Sequence, residues 1–128
     1  MGHVQDLAAF AGRLLLALIF VMEGWIKVAD YSGTVGYMEA NGVPGARLPL
    51  VILTELGGGL LVAVGLFTRW AAIALAGFSI LTALFFHRDI GSTAQFIHFF
   101  KNLAIAGGFL MLAAFGPGGW ALDRRRRG

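Results

Sequence analysis

The chain has no cysteine, which excludes disulfides, thiolate metal centres and CxxC redox chemistry within it. Charge is scarce too: only 13% of the 128 residues are charged, whereas 58% belong to the hydrophobic set. A soluble domain of this length needs far more polar surface, and a mean hydropathy of +0.77 points to a bilayer instead. Also missing are a glycine-rich phosphate loop, a Ser/His/Asp arrangement at a nucleophile elbow, a nucleic-acid module and a cluster with metal-ligand spacing. Neither a nucleic-acid partner, nor a metal, nor a covalently bound cofactor is therefore expected.

What is present is a series of long apolar runs. Four spans are predicted, over residues 7–28, 48–67, 70–86 and 96–115, each long enough or nearly so for the hydrocarbon core of about 30 Å. The first is too long for a signal peptide and has no small-x-small cleavage site after it, so it reads as a retained helix. Residues 29–47 hold Gly33, Gly36, Asn41-Gly42 and Pro44-Gly45 and read as a polar, turn-rich loop. Thr68-Arg69 make a tight turn between the second and third spans, and Gly116-Pro117-Gly118-Gly119 terminate the fourth. The fold class is thus all-α: a single transmembrane domain, an integral four-helix bundle with short loops and membrane lipids as its solvent.

Four spans put both termini on one side. Arg13, Arg69, Arg124, Arg125, Arg126 and Arg127 lie on that side, against Lys27, Arg47, Arg88 and Lys101 on the other, and this bias predicts cytoplasmic termini. The terminal arginine run reads as an anchor at anionic headgroups.

Charges within the spans are the informative residues, since each costs roughly 2.5–3.5 kcal/mol to insert without a partner, water or a function. Following helix direction alone, Glu23, Lys27, Glu55, His87, His98 and Lys101 all fall in the outer half of the bundle. On the first helix Arg13, Ala17, Phe20, Gly24 and Lys27 form one narrow stripe that should face the bundle. Glu23 precedes Lys27 by four residues, the favourable order for an intrahelical pair. Glu55 and Lys101 lack such a neighbour, and a Glu55-to-lysine pair between helices is the simplest way to bury them. Two readings follow: structural ion pairs, or a polar pocket open toward the outer face and closed below by apolar helix halves. Such a pocket suits a quinone headgroup, whose carbonyls need Lys, His or Asn donors. Haem between His87 and His98 is disfavoured, because both lie at span ends where histidine is ordinary.

A family resemblance is carried by particular segments. These are Gly12-Arg13-Leu14 through Phe20, Gly24 and Lys27, Glu55-Leu56-Gly57-Gly58, Gly65-Leu66-Phe67-Thr68-Arg69, His87-Arg88, Phe99-Phe100-Lys101-Asn102-Leu103, Gly116-Pro117-Gly118 and Leu122-Asp123. Together they resemble the DoxX family of bacterial inner-membrane proteins. The resemblance implies a four-helix bundle, a multi-pass inner-membrane location and an association with membrane oxidoreductases, with Arg13, Lys27, Glu55, Arg69, His87, Lys101 and Asn102 as the matched polar positions. Glu23 has no clear place in that pattern.

Three functions are compatible with this reading. The first is an integral subunit or accessory of a quinone-linked oxidoreductase, whether catalytic or not, with other membrane subunits and a quinone as partners. The second is a structural or assembly subunit whose buried charges specify helix pairing. The third is a small proton-coupled exporter, against which the terminal position of Glu23 and its neighbouring Lys27 both argue.

Overall fold

A computed structural model describes residues 2–86 and 91–123. His87, Arg88 and Arg124 to Arg127, singled out above, lie outside the described residues. Among those described there are five helices and no strand: α1 (His3–Ala29), α2 (Tyr31–Ala40), α3 (Gly45–Val64), α4 (Thr68–Phe86) and α5 (Thr93–Phe115). All but α2 are long and apolar enough to cross a membrane.

The spans start and stop where local chemistry dictates. Gly65 ends α3 in the left-handed region at φ 73°, where a side chain would collide with Ala121. Gly116 ends α5 at φ 83° and ψ −179°, an extended backbone of positive φ that glycine alone adopts readily. The segment 29–47 departs from its expected loop: residues 31–40 form α2, whose Asn41 and Gly42 terminate it as turn residues should. Its glycines cost helix propensity, but tertiary contact overrides them, with Met38 buried and the Tyr37 ring stacked on Phe86 at 5.4 Å. α2 therefore covers the end of the bundle above α4.

Small residues set the helix spacing. A Cβ at Gly24 of α1 would lie 3.0 Å from the Leu56 backbone nitrogen, and one at Gly59 of α3 would lie 3.2 Å from the Val21 nitrogen. Backbones that close gain dispersion and exclude lipid, the usual source of helix association in a membrane. The core between the helices holds Ala17, Phe20, Val62, Leu75 and Phe109, with the Phe20 ring edge-on to Phe109 at 5.4 Å. α5 is the least buried of the spans. It packs chiefly on α4 and meets α1 at Gly108, where a Cβ would touch Leu16 at 3.1 Å.

Candidate functional site

Two polar centres occupy opposite ends of the bundle. The first is at the end that carries both termini. Arg13 is only 2% exposed, and its guanidinium donates to the carbonyls of Pro117 (2.8 Å), Trp120 (2.8 Å) and Ala63 (3.2 Å). The Phe10 ring lies 5.2 Å from its Cζ. Asp123 accepts from the Phe67 and Thr68 amides, each at 2.8 Å, and Asp6 accepts from the Gly119 amide at 3.0 Å. Arg13, counted above among the topology charges and on the stripe that faces the bundle, is an internal clamp, held by one carbonyl of the last turn of α3 and two of the segment after α5. The termini-side half of the bundle is therefore not the plain apolar floor that the sequence suggested. Arg69, by contrast, is exposed.

The second centre is the candidate site. The stripe of α1 is buried from Arg13 through Ala17 and Phe20 to Gly24, and Lys27 extends it. Lys27 Nζ lies 3.2 Å from Glu23 Oε2 and 2.9 Å from Glu55 Oε1. Glu55 is 4% exposed, and its contact with Lys27 is a buried ion pair. One ammonium thus serves two carboxylates from different helices. Glu55 stands in a π-helical turn, Leu53–Gly57, a wider turn that recurs at functional sites. Thr54 Oγ1 donates to the Leu50 carbonyl inside the same span. Ser79 Oγ on α4 is buried without a hydrogen-bond partner among the described residues.

The remaining candidates sit on the first half of α5. His98 and Lys101 are exposed, and the half-buried Asn102 donates to the His98 carbonyl at 3.1 Å. Lys101 makes no ion pair with Glu55 among the described residues; Lys27 takes that place, because Gly24 lets α1 approach α3 closely enough. The expected glutamate–lysine pair between helices therefore buries Glu55, through Lys27, and leaves Lys101 exposed. Sequence reasoning passed over Asp6, Thr68 and Ser79, whose only signal was a polar side chain within or beside an apolar span.

The arrangement defines an all-helical membrane protein with an ion-pair cluster at one end of its bundle. The DoxX family model matches residues 8–88, and the chain belongs to that family. It is 47% identical over 124 residues to Inner membrane protein YqjF of Escherichia coli K12, covering 97% of this chain and 95% of that protein. It is 34% identical over 131 residues to Inner membrane protein YphA of the same organism, covering 97% and 94%. No solved structure matches the chain.

Proposed function

We propose that this DoxX protein, which shares the inner membrane with the two relatives, crosses it several times with its termini in the cytoplasm. There it serves as a subunit or accessory of a quinone-linked oxidoreductase system. The observation that carries the reading is the Glu23–Lys27–Glu55 cluster, in which a buried carboxylate in a π-helical turn shares one ammonium with a second, half-exposed carboxylate. A purely neutral pair would need only two groups. The exposed Lys101 and His98 with Asn102 nearby add donors for quinone carbonyls at the same end of the bundle.

The experiment is purification in mild detergent, with mass spectrometry of co-purifying protein and extracted quinone. A quinone retained by the wild type and lost in Glu55→Gln and Lys101→Ala supports the reading. The same quinone content in all three proteins overturns it.

The second reading, an assembly subunit, draws on the closure of the Lys27–Glu55 pair between α1 and α3, which would by itself specify helix pairing. It requires those substitutions to lower the folded, assembled fraction with no change in ligand content.

A further inference from the structure

α1 and α5 meet and then part. Their contact is Leu16 against Gly108. Glu23 and Lys27 lie seven and eleven residues beyond Leu16, each within about 20° of it on the helix. Lys101 lies seven residues before Gly108, again within about 20°. Because the helices are antiparallel, Glu23 and Lys101 sit level with one another, both about 10 Å beyond the contact. Yet Lys101 is exposed on a stripe that is covered at Gly108, and the Glu23 side chain is 46% exposed. The seam is therefore open at this depth, and α2 covers the neighbouring end at Phe86 of α4.

We infer that an amphiphile with a hydroquinone headgroup enters this seam sideways from the lipid and is held between Glu23 and Lys101. This rests on the quinone reading and names its site and redox form. Lys101 has no ion pair among the described residues and offers a donor at membrane depth, where an unpaired ammonium is costly. By register Glu23 lies level with it on α1, and its carboxylate, which takes one bond from Lys27, has an oxygen left to accept. A hydroquinone satisfies both, accepting from Lys101 through one phenolic oxygen and donating a phenolic O–H to Glu23. The oxidised quinone has only acceptors and engages Lys101 alone. An anionic phospholipid headgroup would satisfy Lys101 and be repelled by Glu23. The apolar tail lies against exposed Ile19, Ile97 and the lipid.

The test is binding of a short-tailed ubiquinol analogue and of its oxidised form to the full chain in phosphatidylcholine nanodiscs, with and without phosphatidylglycerol. Lys101→Met is expected to weaken both forms about tenfold, the loss of one charge-assisted hydrogen bond. Glu23→Gln is expected to weaken the reduced form several-fold and not to weaken the oxidised form, whose carbonyl the new amide can serve as a donor. Because Lys101 is exposed, its substitution leaves the fold intact, and a diazirine-tailed analogue should label α1 and α5. Labelling confined to α3 and α4, or equal effects of Glu23→Gln on both forms, overturns the inference and leaves the quinone reading standing. So does displacement of the ligand by phosphatidylglycerol in a Lys101-dependent way. Absence of any binding by the wild type overturns both.

Discussion

Arg13 donates to the carbonyl of Trp120 at 2.8 Å, tying the first helix to the far end of the chain. The same guanidinium reaches Pro117 and Ala63, so one side chain closes the junction of α1, α3 and the C-terminal segment. A lysine has one compact ammonium and lacks the planar fork that spans three carbonyls. Arg13→Lys is expected to destabilise the protein by about 1–3 kcal/mol and Arg13→Ala by about 3–5 kcal/mol, since both leave buried carbonyls unpaired. Thermal unfolding in detergent, followed by circular dichroism, reads the order; equal stability of wild type and alanine variant would refute the clamp.

Asp123 performs a related task by another route. Its two carboxylate oxygens accept from the Phe67 and Thr68 amides, and its own amide donates to the Gly65 carbonyl. Phe67 sits at φ 49°, an uncommon backbone for a bulky residue that such hydrogen bonds help to hold. Asp123→Ala should cost about 1–3 kcal/mol and raise protease cleavage in the turn between α3 and α4. Unaltered cleavage there would mean that the turn holds its shape alone.

The spans were legible because hydropathy and glycine–proline punctuation act locally. The α1 stripe was legible for the same reason: its residues share one helix, so their common face follows from spacing alone. The partner of Glu55 was not, because choosing Lys27 over Lys101 depends on how closely α1 approaches α3, and that is set by Gly24 against Leu56. Helix direction gave the depth of each charge and nothing about its azimuth. The inward face of Arg13 was legible in that stripe, but its partners were not, because they are backbone carbonyls, which every residue carries and which no side-chain pattern announces. α2 escaped because its stabilising contact, Tyr37 on Phe86, joins positions far apart in the chain.

Gly24 gives a packing prediction with an internal control. A methyl there would meet the backbone of Leu56 at 3.0 Å, whereas one at Gly107 on α5 meets nothing within 4 Å. Gly24→Ala is expected to push α1 away from α3 and destabilise the bundle by about 1–3 kcal/mol, as overpacking does. Gly107→Ala should be neutral or stabilising by up to about 1 kcal/mol, because alanine is the better helix former. Reversible unfolding in mixed detergent micelles compares the two, and a Gly24→Ala protein as stable as Gly107→Ala would show that the α1–α3 contact is slack.

Lys27 and Glu55 provide the sharpest energetic test, since removing either partner strands a different charge. Lys27→Met leaves the Glu55 carboxylate buried at 4% exposure with its ammonium gone, a loss of about 3–5 kcal/mol. Glu55→Gln is milder, because Lys27 keeps Glu23 at 3.2 Å and the amide still offers an oxygen. The double variant should recover most of the loss of Lys27→Met, since a neutral amide needs no counter-ion. The coupling energy from the cycle should exceed about 1 kcal/mol, whereas additive effects would place the two residues outside each other's influence. A cycle that couples strongly in stability and also changes quinone content would assign the cluster a ligand as well as a helix partner.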